Sequence, residues 1–204
     1  TFMRRVSIDI TGTVPTESEV RAFLADTNPS KRDALIDRLL ESPAYADYFA
    51  NKWNMVLRNK RDGNDLQTST FAFHRWLWSN LYDNKPYDQM VRELLTASGS
   101  PDDHPAVTWY REVDQTNEQV EDVAQLFLGL RIQCARCHHH PFEKWSQDDY
   151  YGLAAFFSRV GRKPLVGSTP NITDKRIFHI DTQGPPQARN ERSGKMLPPT
   201  GLGS

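Results

Sequence analysis

Cysteine is scarce in this 204-residue chain, with only Cys134 and Cys137 present. Two thiols cannot staple a disulfide framework, so the fold has to rest on an ordinary hydrophobic core. Charge of one sign is lacking too: 25 basic residues stand against 26 acidic ones. That balance leaves no basic surplus for a nucleic-acid footprint, and no nucleic-acid partner is expected. No apolar run approaches the length of a membrane span, so no transmembrane segment is expected. There is no internal repeat, P-loop, dinucleotide fingerprint, catalytic triad or pair of carboxylates in a defined arrangement. A hydrophobic share of 38% with 25% charged residues describes a globular chain long enough for one good core.

What is present is Cys134-Ala135-Arg136-Cys137-His138, followed by His139 and His140. In C-x-x-C-H, two thiols on one turn can bond the vinyl groups of a haem while the next imidazole meets the iron. On that reading Cys134 and Cys137 are the expected covalent haem sites and His138 the expected proximal iron ligand. Zinc is the alternative cofactor, since the two cysteines with His138, His139 and His140 offer enough N and S donors for a tetrahedral site. A redox-active dithiol and a plain disulfide are further readings. The dithiol lacks a surrounding βαβ pattern, and zinc lacks the second, distant ligand pair of a zinc finger. Haem fits best.

Around the motif, His140 is placed to hydrogen-bond a carboxylate, a haem propionate or a backbone carbonyl, and His139 reads as exposed. Phe142 and Trp145, with Tyr150, Tyr151, Phe156 and Phe157, can serve as an apolar haem wall or an ordinary aromatic core. Arg4 and Arg5 are candidate propionate partners. The sixth iron ligand is not readable; Met3, Met55, Met90, Met196, His74, His104 and His179 are its candidates. Trp109-Tyr110 reads as an aromatic pair in a loop.

Helical periodicity runs through the first two thirds. Phe2, Val6, Ile8 and Ile10 suit a helix or a strand closed by Gly12. Thr16 with Glu19 forms a capping box ahead of Val20, Phe23 and Leu24, and Ser30 caps the next helix. Pro43 opens another helix, and two more follow from about Thr70 and after Pro86. Asp62-Gly63-Asn64 marks a loop. Thr116 to Gln119 reads as a second capping box, and Ser146 starts a last helix. Beyond Val160 glycine and proline multiply, and only Arg176-Ile177-Phe178-His179-Ile180 resembles a strand. The expectation is a mainly α domain of seven or eight helices over residues 1–160, distinct from a small cytochrome c. Residues 161–204 then form an irregular arm with little β, or a linker to a downstream domain.

Several separated blocks also resemble a known family. Phe2-Met3-Arg4-Arg5-Val6-Ser7-Ile8-Asp9-Ile10-Thr11-Gly12 with Pro15-Thr16 is similar to its amino-terminal signature, and Lys85-Pro86-Tyr87-Asp88-Gln89 with Glu93-Leu94-Leu95-Thr96-Ala97 to its middle segment. Phe127-Leu128-Gly129, the segment Cys134 to Phe142, and Asp149-Tyr150-Tyr151 resemble its haem-site block, with Gly194-Lys195 and Pro198-Pro199 near the end. The family is the planctomycete cytochrome-c-like domain of large multidomain exported proteins, whose function is unknown. The resemblance implies a c-type haem at Cys134, Cys137 and His138 in an exported, periplasmic or cell-surface protein. His139 departs from the Asp or Asn often found there.

Thr1 to Arg5 reads as domain interior, so a signal sequence is expected outside this stretch. The expected function is a haem electron-transfer module within a larger bacterial redox protein. Its partners would be redox proteins or neighbouring domains of the same polypeptide. One alternative is a haem enzyme with an open coordination site, although the isolated domain reads as non-catalytic. The other is a zinc- or disulfide-stabilised scaffold.

Overall fold

A computed structural model describes residues 2–60, 67–164 and 176–203. Among the described residues the fold is mainly helical, as the periodicity predicts, with four short strands. The Asp62-Gly63-Asn64 loop lies outside the described residues. The first ambiguous segment is a helix, α1 (Phe2–Thr11), which buries Met3, Ser7 and Thr11 at four-residue spacing. Gly12 then turns the chain at φ +70, against the ring of Tyr48, where a Cβ would collide.

The Thr16/Glu19 capping box opens α2 (Glu17–Ala25), which buries no residue; Leu24 is exposed rather than part of an apolar contact face. Ser30 precedes α3 (Lys31–Leu40) without making a side-chain cap. Pro43 occupies the first turn of α4 (Pro43–Val56), where its missing N–H costs nothing. The next helices are α5 (Gln67–Tyr82) and α6 (Tyr87–Thr96).

A 3₁₀ turn at Pro105–Val107 leads into α7 (Thr108–Glu112), so Trp109 and Tyr110 belong to a short helix and not to a loop. Both rings are buried, meeting edge-on at 4.9 Å, and the Tyr110 hydroxyl donates to the Leu95 carbonyl at 2.7 Å. Residues 116–127 form α8 (Thr116–Phe127), but the expected capping box is absent and Gln115 occupies the N-cap. The buried Gln119 side chain donates instead to the Val113 carbonyl at 2.9 Å, so it is not free to reach back to the helix start. At α9 (Gln147–Ala154) the box does close, between Ser146 and Asp149.

One buried cluster runs from Ala50 and Leu57 through Phe73, Leu77, Leu94, Trp109, Val120 and Ile132 to Tyr150 and Phe157. It also takes in Phe178 and Leu197 from the carboxy-terminal segment. There, β1 (Val160–Pro164) pairs antiparallel with β2 (Arg176–Ile180), the strand anticipated from sequence, with Val160 opposite Ile180. β3 (Ala188–Arg189) pairs with β4 (Met196–Leu197), and both pack on α9. No helix among the described residues is long and apolar enough to cross a membrane.

Candidate haem-attachment turn

Cys134 and Cys137 lie on a 3₁₀ turn, Gln133–Arg136, with Cys137 as its closing residue. The amides of Cys137 and His138 both donate to the Cys134 carbonyl at 3.3 Å. Three residues per turn bring positions i and i+3 toward the same side, and this is the spacing of the two cysteines. Burial makes the complementary choice. Ile132 and Ala135 are fully buried in the main cluster, whereas Cys134, Cys137 and His138 are exposed. Both thiols are free. Anchoring the apolar members inside leaves the chemistry-bearing ones outside.

Each histidine of the triplet has its own hydrogen bonds. The His138 Nδ1 is 2.6 Å from the His139 carbonyl oxygen. A carbonyl only accepts, so Nδ1 carries a proton, and in the neutral ring the lone pair is then on Nε2. A hydrogen bond from one ring nitrogen to a backbone carbonyl is the usual way a metal-binding imidazole is fixed. His139 is exposed, as expected, with its Nδ1 facing the Gln147 amide at 3.4 Å. His140 makes the bond to a backbone carbonyl that was one of its expected roles. Its Nδ1 accepts from the Phe142 and Glu143 amides, and Nε2 donates to the Arg131 carbonyl at 3.1 Å. With the His140 amide bonded to the Trp145 carbonyl at 2.8 Å, this ring staples residues 140–145 to the strand of chain entering the motif. Both of its nitrogens are committed to backbone, so it presents no free donor atom to a zinc ion in this arrangement.

The turn is also held from α9. The Gln147 Nε2 and the Tyr151 hydroxyl both donate to the Arg136 carbonyl, at 3.1 and 3.3 Å. Burial pushes the Tyr151 pKa up, the Glu191 backbone amide opposes that rise, and the nearby Cys137 adds to it. The motif named the thiols and the imidazole, but gave no sign of Gln147 or the Tyr151 hydroxyl. Side-chain bonds to backbone carbonyls leave no trace in residue spacing.

The other sequence candidates are dispersed. Among the aromatics that follow the motif, Tyr150, Tyr151 and Phe157 are core, Trp145 is half-buried against it, and Phe142 stands 92% exposed. The Trp145 indole donates to Glu143 at 2.7 Å. Arg4 and Arg5 are exposed on α1, a helix that packs on α3 and α4. Met3 and Met90 are buried, whereas Met55 and Met196 are exposed. His74 pairs with Asn54, His104 is exposed, and the His179 ring lies across Gly161 on the β1–β2 ladder. Among the described residues, no three His, Cys, Asp or Glu side chains gather where they could hold a metal ion. The donor set at the turn, two free thiols beside an imidazole whose Nδ1 is engaged by a backbone carbonyl, has the chemistry to hold a haem covalently.

Residues 1–162 match the profile of PSCyt2, described as a protein of unknown function (DUF1549), and the chain belongs to that family. No curated protein and no solved structure matches it.

Proposed function

We propose that this member of the PSCyt2 family is a c-type haem-binding electron-transfer module of a larger exported bacterial redox protein. The observation that carries the reading is the His138 hydrogen bond. Donation from Nδ1 to the His139 carbonyl leaves the lone pair of the neutral ring on Nε2, one residue from a thiol pair spaced three apart on a 3₁₀ turn. Bound there, a haem iron supplies a one-electron couple. The chain's part is to fix the two thioether sulfurs and the axial imidazole. It does so through the buried Ile132 and Ala135 beneath the turn and the bonds from Gln147 and Tyr151 to the Arg136 carbonyl. Exposure of Cys134, Cys137 and His138 supports electron exchange with a docked redox protein or a neighbouring domain, because the group they hold would sit within reach of the surface. Export follows from the chemistry, since haem is attached to thiols outside the bacterial cytoplasm.

The test is expression together with the haem-maturation proteins, followed by intact-mass measurement and absorption spectra. One covalent haem per chain is expected. Cys134→Ala with Cys137→Ala should return the bare polypeptide mass, and His138→Ala should keep the covalent haem but lose its axial imidazole signature. Wild-type chain of bare polypeptide mass from that system refutes the proposal. Unaltered spectra with carbon monoxide and cyanide are expected of an electron carrier; ready binding of either would move the assignment to a haem enzyme with an open site.

A further inference from the structure

We propose that the carboxy-terminal turn Asn190–Lys195 supports the haem site from behind, coupled to the C-x-x-C-H turn through the first turns of α9. The inference rests on the haem reading above and extends the site beyond residue 162, where the family match ends.

The first turn of α9 faces two ways. Toward the motif, the Gln147 and Tyr151 side chains donate to the Arg136 carbonyl, and the Gln147 amide meets the His139 ring. Toward the carboxy terminus, both oxygens of Asp148 are occupied. Asn190 Nδ2 donates to Oδ1 at 2.8 Å, and Lys195 Nζ approaches Oδ2 at 2.9 Å. These hydrogen bonds, Lys195 foremost and then Asn190, hold the Asp148 carboxyl below the usual carboxylate range.

Asn190 is 2% exposed and organises the turn itself. Its Oδ1 accepts from the Arg192 and Ser193 amides, while its backbone pairs with Lys195 and Gly194. Tyr151 faces both sides, because its hydroxyl donates to the Arg136 carbonyl and is met by the Glu191 backbone amide. One turn further along α9, the Thr200 amide donates to the Gly152 carbonyl at 3.0 Å. A Cβ on Gly152 would lie 3.0 Å from the Thr200 side chain, so the carboxy-terminal chain rests directly on the helix. The route from this turn to the motif therefore runs Asn190 and Lys195 to Asp148, and along the helix to Gln147 and Tyr151 on the Arg136 carbonyl. Asn190, Asp148 and Tyr151 are positioning residues; none is placed in contact with the haem.

The experiment uses the full chain expressed with the maturation proteins, comparing wild type with Asn190→Ala, Lys195→Ala and Tyr151→Phe. Readouts are covalent haem, midpoint potential and amide hydrogen exchange. Asn190→Ala is expected to speed exchange roughly tenfold in both residues 190–195 and 134–140, and to shift the potential, with haem still attached. Lys195→Ala should give the same pattern more weakly, and Tyr151→Phe should act mainly on the motif. Unchanged exchange in α4 and α5 certifies that a variant is folded; should Asn190→Ala fail that check, the two milder variants decide. Haem-loaded variants that loosen the turn, yet keep wild-type motif exchange and potential, overturn this inference alone. A haem-free wild type overturns it together with the reading it rests on.

Discussion

Between α4 and α5 the chain is held chiefly by contact between apolar surfaces, with Ala50, Leu57, Phe73 and Leu77 at or near zero exposure beside the Asn54–His74 and Asp47–Trp78 pairs. Across residues 131–146 the means differ. That segment has only a 3₁₀ turn of regular structure, and several of its carbonyls and amides are met individually by His138, His140, Gln147 and Tyr151. A helix satisfies its own backbone and asks its neighbours only for volume. An irregular segment has to find a partner for each polar group. The comparison explains why this site is surrounded by glutamine, tyrosine and histidine while the bundle beside it is alanine, leucine and phenylalanine.

The contrast can be broken from either side. Truncating the bundle should have the largest effect. Phe73→Ala removes a fully buried ring and should cost about 3–5 kcal/mol of global stability, read as a shift in the denaturant midpoint with unchanged slope. Should the motif lose its exchange protection in Phe73→Ala without a global shift, the separation into apolar and polar regions is wrong.

A smaller and local effect is expected at the staple. His140→Ala frees the Phe142 and Glu143 amides and the Arg131 carbonyl, worth about 1–2 kcal/mol of local opening. Hydrogen exchange should rise across residues 140–145 and stay unchanged in α5. A uniform rise across the molecule would instead make His140 part of the general core.

The smallest effect concerns pH. The Asp148 carboxyl is held below its ordinary range by Lys195 and Asn190, so its folded pKa is lower than its unfolded one. Its contribution is complete above the ordinary aspartate pKa and is lost as pH falls through the depressed folded value. Because Asp148 is partly exposed, the change should appear as acid-dependent loosening of residues 190–195 and not as global unfolding. Asp148→Asn should abolish that acid dependence, and a dependence that survives the substitution would assign it to another carboxylate.

How much was legible in sequence follows the same division. Helices with periodic apolar faces could be read directly, as could the capping box at Thr16 and the helix start at Ser146, because each signal lies within a few residues. At Thr116 the local signal misled, since Gln119 is engaged by the Val113 carbonyl, a tertiary choice. The short helix carrying Trp109 and Tyr110 is too brief to show a period, and burial alone distinguishes it from a loop. At the candidate site, the spacing singles out Cys134, Cys137 and His138, which the structure places exposed on and just after one 3₁₀ turn. The supports at Gln147, Asp148 and Asn190 act across 11 to 42 residues of sequence and carry no comparable pattern. Phe178 lies between, since strand alternation marks it as opposite to His179 but not as a member of the main core.

The division of labour at the 3₁₀ turn also bears on what an attached group would ask of the interior. Ile132 and Ala135 root it in the interior, while its sulfurs and imidazole face outward. On the proposed reading, a group bonded to those sulfurs would leave the packing beneath Ile132 and Ala135 undisturbed.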